Sequence, residues 1–305
     1  MTGDNSNQLA ERLTNRLNAD INPAVERFAH ALAQQAGARA VLFYGSNLRT
    51  GSLDGVLDFY VLRSGSDEPA IWPVVSYHER EDAGIILRAK VAAMTLETFA
   101  KAAAGELRDT TIWARFVQPS ALVWQADESA AQEVAAALSA AAQTAAQLAA
   151  ALGPETGTAE KYWRALFQAT YKAEFRVEKP GRENDILSVN AEHFRGLLPL
   201  ALSAAGIAFD QDGERITPHL PEGKRSEILN WWRQRQRLGK PLNFLRLLKA
   251  STTFEGASRY AAWKIERHTG MPVEITPFRE KYPILAAPGV LVSLWRHKRA
   301  QSRAK

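Results

Sequence analysis

Residues 41–62, VLFYGSNLRTGSLDGVLDFYVL, contain the pattern that decides the fold of this chain. Two short apolar runs flank a polar segment rich in glycine and serine, which is typical of a strand, a loop and a second strand. Gly45 and Ser46 follow the first run, and Asp58 lies inside the second. A glycine lets backbone N–H groups approach an anion closely, and a serine adds a hydroxyl donor. The pattern therefore predicts a loop that binds phosphate groups.

Asp58 is a carboxylate at an otherwise apolar strand position. An unpaired carboxylate is costly to bury, and a bound metal ion would account for it. Mg²⁺ takes oxygen ligands and usually shares them with substrate phosphates. We therefore predict a nucleoside triphosphate site in which Asp58 holds Mg²⁺. The alternative is that Gly45 and Ser46 form an ordinary turn, because Gly-Ser pairs occur in many turns.

Length and composition are those of a soluble globular protein. The chain has 305 residues, of which 46% are apolar and 23% charged, so it can form two domains. It contains no cysteine, which excludes disulfides, thiolate metal sites and cysteine nucleophiles. The first twenty residues lack a hydrophobic signal core, and we interpret the alanine-rich stretch 129–152 as a soluble helix. We expect a cytoplasmic protein, peripheral on the inner face of the membrane.

Positive charge is concentrated in the last third of the chain. Residues 221–305 carry 18 lysines and arginines against 6 acids, whereas the preceding residues carry 20 against 27. This asymmetry predicts an anionic partner, either nucleic acid or an anionic membrane surface. Tryptophans interleave with arginines there, which favours a membrane- or RNA-binding surface. The alternative is core tryptophans with arginines outside. The residues concerned are Trp231, Trp232, Arg233, Arg235, Arg237 and Trp263.

The order of predicted elements indicates an α+β fold with a small mixed sheet followed by a mainly helical C-terminal domain. Glycine, proline and threonine in 153–157 mark the boundary, giving domains 1–152 and 158–270 and a basic tail, 271–305. Apolar spacing predicts helices over 5–17, 23–36, 96–104, 129–152, 159–177, 191–205, 226–238, 242–250 and 254–269, strands over 40–44, 56–62, 85–94 and 121–125, and a helix or strand over 111–117.

The Gly-Ser loop and the strand carboxylate together resemble the polymerase-β-like nucleotidyltransferase superfamily. The usual pattern there has two acids separated by one residue, whereas this chain has Tyr60 at the second position. One branch shares this departure, the mitochondrial-type phosphatidate cytidylyltransferases, or translocator assembly and maintenance proteins. That branch carries Tyr-Gly-Ser followed by Leu-Asp-Phe, which are similar to residues 44–46 and 57–59 of this chain.

Three further motifs follow in the same order as in that branch. A basic strand with Arg88 and Lys90 on one face precedes an Arg-x-x-x-Pro segment that begins at Arg115. Residues 171–176, YKAEFR, resemble Tyr-x-x-Asp-Phe-Arg, and residues 190–195, NAEHFR, resemble Asn-x-x-His-Phe-Arg. The resemblance spans about residues 40–200 and does not extend to the C-terminal elements.

The resemblance implies a Mg²⁺-dependent cytidylyltransferase that converts CTP and phosphatidic acid to CDP-diacylglycerol and pyrophosphate. Two alternatives remain: a nucleotidyltransferase with another acceptor, either another lipid phosphate or RNA, and a non-catalytic nucleotide- or lipid-binding module on a degenerate transferase fold. The predicted site residues are Asp58 and Ser46 for catalysis; Gly45, Ser46, Arg49, Arg88 and Lys90 for the nucleotide; Arg115, Arg176 and His193 for the substrate phosphate; and Asp58, Asp54 and Glu174 for the metal.

Overall fold

The computed structural model describes residues 2–109, 111–173, 182–253, 257–269 and 272–281, together with Gly289. The fold is α+β, as predicted, with a mixed five-stranded sheet, a three-stranded sheet and many helices. Glu174 and Arg176, predicted to contact metal and phosphate, lie outside the described residues.

Five strands form the main sheet: β1 (Ala38–Tyr44), β2 (Leu57–Arg63), β3 (Val74–Asp82), β4 (Ile85–Thr95) and β5 (Ser120–Gln125). They lie in the order β3-β4-β2-β1-β5. The pair β2–β4 is parallel, and the other neighbouring pairs are antiparallel. The sequence predicts four of these strands but misses β3. This strand pairs with one neighbour, β4, and its polar residues lack the alternation of a half-buried strand.

A small second sheet was not predicted, because its strands are too short to show a period. Its strands are β6 (Gly157–Thr158), β7 (Phe209–Asp212) and β8 (Arg215–Pro218). They lie in the order β6-β8-β7, and both pairs are antiparallel.

The helices follow most of the predicted spans, and Thr95 caps the fourth as its hydroxyl accepts from the Thr98 N–H. The predicted helix 191–205 is interrupted at Gly196, which has a φ of 68°. The two predicted helices 226–238 and 242–250 form one helix that continues through Pro241. The helices are α1 (Thr2–Leu17), α2 (Pro23–Ala36), α3 (Ser46–Thr50), α4 (Leu96–Ala103), α5 (Thr111–Phe116), α6 (Glu128–Leu152), α7 (Ala159–Ala173), α8 (Arg182–Val189), α9 (Ala191–Phe194), α10 (Leu197–Ala204), α11 (Glu222–Thr253), α12 (Ala257–Thr269) and α13 (Pro277–Lys281).

The two faces of the main sheet pack against different helices. One face, including Phe43 and Phe59, packs against α2. The other, including Leu42, Tyr60 and Leu62, packs against α1, α4, α5 and α6. Because side chains alternate along a strand, Asp58 lies on the same face as Tyr60. The second face therefore carries both the main core and the candidate site.

The apolar core continues across the predicted domain boundary at 153–157. Side chains of α6 belong to the same cluster as those of α7, α10 and α11, so the later helices pack directly on the first part of the chain. The division into two domains stays a prediction. Among the described residues α6 is the one helix long and apolar enough to cross a membrane, and 72% of its apolar window is buried inside the protein.

Candidate functional site

The centre of the candidate site is the contact between Gly45 and Asp58. Tyr44, the last residue of β1, pairs with Asp58 on β2, and the chain then turns at Gly45 with φ 92° and ψ −161°. A Cβ atom built on Gly45 would lie 3.1 Å from the Asp58 Oδ2. The Asp58 carboxylate therefore lies directly against the backbone of the Gly-Ser segment, the arrangement that the sequence pattern predicts.

The segment after Gly45 is a short helix, which corrects the prediction of an open loop between the two strands. Ser46 begins α3, and both Ser46 and Arg49 have exposed side chains. Asn47 is 7% exposed, and its Nδ2 donates to the carbonyl oxygens of Ser52 and Asp54, both at 2.8 Å. Asn47 thus fixes the course of the chain between the helix and β2. The sequence pattern did not indicate this role, although an asparagine beside a glycine turn commonly forms hydrogen bonds with nearby backbone groups.

Two cations lie near the Asp58 carboxylate. Lys90 is the in-register partner of Asp58 across the parallel β2–β4 pair, and Arg115 comes from α5. Burial raises the pKa of Asp58, and the positive charges of Lys90 and Arg115 act in the opposite direction. The site therefore combines one partly buried acid with two bases, which suits it to bind an anion.

Tyr60 holds Arg115 in place. The Tyr60 side chain is fully buried, and its hydroxyl accepts a hydrogen bond of 2.7 Å from the Arg115 Nη1. The Arg115 guanidinium also lies over the rings of Tyr44 and Tyr60, with its carbon 5.6 Å and 5.7 Å from their centroids. Burial raises the pKa of Tyr60, so the phenol is neutral. Tyr60, two residues after Asp58 on β2, is therefore a phenol that positions Arg115.

Asp109 stabilises the start of α5, the helix that carries Arg115, and was not among the residues predicted from the sequence. Its Oδ2 accepts from the backbone N–H groups of Thr111 and Ile112, both at 3.0 Å, at the first turn of α5. Its Oδ1 pairs with the Arg246 Nη1 at 2.8 Å, and the Asp109 side chain is 1% exposed. Asp109 thus anchors α5, the helix that carries Arg115, to α11. An Asp-x-Thr sequence before a helix is a capping signal that could have identified it.

Two predicted site residues on the rim form ion pairs with neighbours. The Asp54 Oδ2 lies 3.0 Å from the Arg267 Nη2 of α12, and the Asp54 side chain is largely exposed. The Arg88 Nε lies 3.3 Å from the Glu79 Oε1, and the Arg88 guanidinium lies over the Trp263 ring at 5.4 Å. Helix α12 therefore forms part of the rim.

His193 lies in the core, 7% exposed. Its Nε2 donates to the Val117 carbonyl oxygen at 2.8 Å, and burial lowers the pKa of His193 to about 4. A phosphate contact at His193 stays a prediction, and this burial counts against it.

Three of the interleaved tryptophans and arginines of α11, namely Trp231, Trp232 and Arg235, pack against the rest of the protein. Trp231 and Trp232 both pack on Trp113. Arg235 is 6% exposed and donates to the Leu107 carbonyl oxygen at 3.0 Å. These three side chains therefore contribute to the packing of α11, whereas Arg233 and Arg237 are exposed.

The donor set is compatible with Mg²⁺ bound together with a triphosphate. Asp58 offers carboxylate oxygens beside the Gly45 backbone, and Asp54 lies between α3 and β2, where the Asn47 side chain donates to its carbonyl oxygen. Within the described residues, no three acids or histidines converge as a complete metal site. Mg²⁺ commonly takes one or two protein carboxylates and completes its shell with substrate phosphates and water. A single well-placed carboxylate therefore meets the minimum requirement.

Comparison with known proteins gives no independent assignment. No protein-family model matches the chain, and a search of curated proteins finds no significant match. The resemblance to the cytidylyltransferases thus rests on the short motifs alone.

Proposed function

We propose that this protein is a Mg²⁺-dependent nucleotidyltransferase that transfers CMP from CTP to the phosphate of phosphatidic acid, giving CDP-diacylglycerol and pyrophosphate. The observation that supports a nucleotidyltransferase is the Asp58 carboxylate set against Gly45, with Lys90 and Arg115 beside it. The choice of CTP and of phosphatidic acid comes from the motif resemblance. The proposed fold is a polymerase-β-like nucleotidyltransferase domain followed by a helical domain.

In the proposed reaction the protein has two main tasks, which are to orient the two phosphates and to neutralise their negative charge. An oxygen of the acceptor phosphate attacks the α-phosphorus of CTP, and the bond from that phosphorus to the bridging oxygen of the β-phosphate breaks. The acceptor oxygen is already deprotonated at neutral pH, so no strong general base is required. Orientation of the two phosphates and neutralisation of their charge then provide most of the acceleration.

The residues around Gly45 and Asp58 have separate roles in that scheme. The Ser46 hydroxyl and the backbone near Gly45 bind the triphosphate, with positive charge from Arg88 and Lys90. Arg115, oriented by Tyr60, binds the acceptor phosphate. Asp58 would hold Mg²⁺, which when bound neutralises charge on the pyrophosphate that leaves.

The basic end of the chain would hold the enzyme at an anionic membrane. Residues 221–305 contain the exposed Arg233 and Arg237 and carry a large excess of positive charge. Each lysine or arginine near an anionic lipid surface contributes about 1 kcal/mol, so a few such residues suffice for peripheral binding.

The test is release of pyrophosphate from CTP in the presence of Mg²⁺ and vesicles that contain phosphatidic acid. Asp58→Asn removes the charge and keeps the shape, and we expect it to reduce turnover about a hundredfold or more. Asp212→Asn, which changes an exposed acid on β7, is the matched control and should keep wild-type turnover. Wild-type turnover in Asp58→Asn would contradict the proposal.

One observation favours a second candidate, a nucleotide- or lipid-binding module without catalysis. Tyr60 occupies the position two residues after Asp58 on β2 and binds Arg115, so Asp58 has no second acid beside it at that position of the strand. Two-metal phosphoryl transfer uses more carboxylates than this. CTP binding with no pyrophosphate release, across a panel of lipid phosphates and RNA, would support the module. Release with RNA or another lipid phosphate alone would instead identify a different acceptor.

A further inference from the structure

Helix α12 brings an arginine and a tryptophan to the rim of the candidate site from more than two hundred residues away. The Arg267 Nη2 lies 3.0 Å from the Asp54 Oδ2, and the Arg267 guanidinium lies over the Trp263 ring at 5.2 Å. The same ring contacts Arg88, which the sequence assigns to the nucleotide. The Trp263 ring therefore contacts both Arg267 and Arg88, a residue that the sequence predicts to bind the nucleotide.

The loop that Arg267 contacts is tied to the phosphate-binding turn. The Asn47 side chain, next to Ser46, donates to the Asp54 carbonyl oxygen. A Cβ atom built on Gly55 would lie 3.4 Å from the Arg267 Nη1, so the guanidinium lies against the loop backbone itself. The Arg267 charge is therefore held next to the segment that begins at Gly45.

The ion pair between Arg267 and Asp54 is weak enough to exchange. The Arg267 and Asp54 side chains are 43% and 79% exposed, and exposed ion pairs contribute little to stability because water screens them. A triphosphate carries several negative charges and accepts two hydrogen bonds from one guanidinium, so it competes well against a single solvated carboxylate. Stacking on Trp263 keeps the guanidinium oriented while its partner changes.

We propose that Arg267 is a triphosphate-binding residue, and that a bound triphosphate replaces Asp54 as its partner. The proposal rests on the function proposed above and extends that site to α12, beyond the part of the chain that the motifs cover. The exchange frees the Asp54 carboxylate, an oxygen donor of the kind that Mg²⁺ takes. In the absence of nucleotide, the ion pair occupies both groups and joins α12 to the loop.

The experiment measures binding of inorganic tripolyphosphate and of CTP by calorimetry, at one fixed salt concentration, first with EDTA and then with Mg²⁺. Arg267→Gln should weaken binding of both ligands about tenfold to hundredfold, the effect of losing a hydrogen bond to a charged group. Arg267→Lys keeps the positive charge but lacks the planar guanidinium, so its affinity for each ligand should lie between that of the wild type and that of Arg267→Gln. Arg215→Gln, an exposed arginine on β8, is the charge-matched control and should bind like the wild type.

Asp54→Asn tests whether the triphosphate replaces Asp54 as the partner of Arg267 or is only attracted by the positive charge of Arg267. With EDTA present, removal of the competing carboxylate should tighten tripolyphosphate binding, and this gain should vanish when Arg267→Gln is added to the same chain. Circular dichroism checks that each variant is folded.

The outcomes distinguish this proposal from the proposed function. If the wild type binds CTP and Arg267→Gln binds it equally well, the role of Arg267 is wrong and the nucleotide site stands. If Asp54→Asn weakens tripolyphosphate binding in EDTA, the exchange is wrong. If the wild type binds neither ligand under either condition, both proposals fall.

Discussion

The burial of His193 predicts how the stability of this protein depends on pH. The imidazole is 7% exposed, donates from Nε2 to the Val117 carbonyl oxygen and lies against the Phe194 ring. Burial, as the largest cause, lowers the pKa of His193 from 6.5 to about 4. The hydrogen bond to Val117 acts in the opposite direction, and the positive charges of Arg16 and Arg12 act in the same direction as burial. The folded protein therefore keeps this side chain neutral well below pH 6.

The sign of the effect follows from the proton balance. Between pH 6.5 and about 4 the unfolded chain binds a proton at His193 and the folded protein does not. Stability therefore falls as the pH falls through this window and is unaffected by His193 above it. Because one pKa unit corresponds to about 1.4 kcal/mol, the full loss amounts to about 3 kcal/mol.

Urea denaturation at pH 7.5, 6.5, 5.5 and 4.5 measures this loss against a matched variant. His193→Gln keeps a side-chain donor for the Val117 carbonyl oxygen but cannot take up a proton. Other titrating groups affect both proteins alike, so the difference between their free energies of unfolding isolates His193. We expect the wild type to lose most of about 3 kcal/mol relative to the variant between pH 7.5 and 4.5. Parallel pH profiles for the two proteins would refute the reasoning, because His193 would then titrate normally in the folded state.

Three further substitutions test the framework of the site. Gly45→Ala places a Cβ atom 3.1 Å from the Asp58 Oδ2 at a backbone φ of 92°, so we expect a loss of about 1–3 kcal/mol in urea denaturation together with loss of CTP binding. Equal stability would show that the turn is not strained. Tyr60→Phe removes the acceptor that orients Arg115, and we expect a rise in KM for the acceptor lipid with a stability change of about 1 kcal/mol. An unchanged KM would show that the Tyr60 hydroxyl does not orient Arg115 for acceptor binding. Asp109→Asn breaks a buried pair with Arg246 and should cost about 3 kcal/mol or more of unfolding free energy. A cost below about 1 kcal/mol would mean that Asp109 does not anchor α5.

The sequence predicts the centre of the site because local pattern and strand register determine it. Two apolar strands that follow each other closely in the chain are commonly neighbours in a sheet, and the observed antiparallel pairing of β1 with β2 places Asp58 opposite Tyr44, at the end of β1. In the same way, the alternation along β4 places Arg88 and Lys90 on one face. These relations need no knowledge of the distant parts of the chain.

The parts that the sequence does not predict depend on contacts between distant segments. Arg267 and Asp54 are separated by 213 positions, and no local period brings them together. The burial of His193 depends on where α9 packs against the end of α5, which apolar spacing alone does not specify. Strand β3 was missed for a related reason, since its hydrogen bonds to β4, rather than an apolar pattern, make it a strand.

The most direct test of the site is the Mg²⁺ dependence of CTP affinity in the wild type and in Asp58→Asn. If the Asp58 carboxylate links one divalent cation to the bound triphosphate, Mg²⁺ should tighten CTP binding to the wild type and to the Asp212→Asn control. The same titration should leave the CTP affinity of Asp58→Asn unchanged. An equal Mg²⁺ enhancement in Asp58→Asn would show that the carboxylate beside Gly45 holds no metal, and would contradict the account.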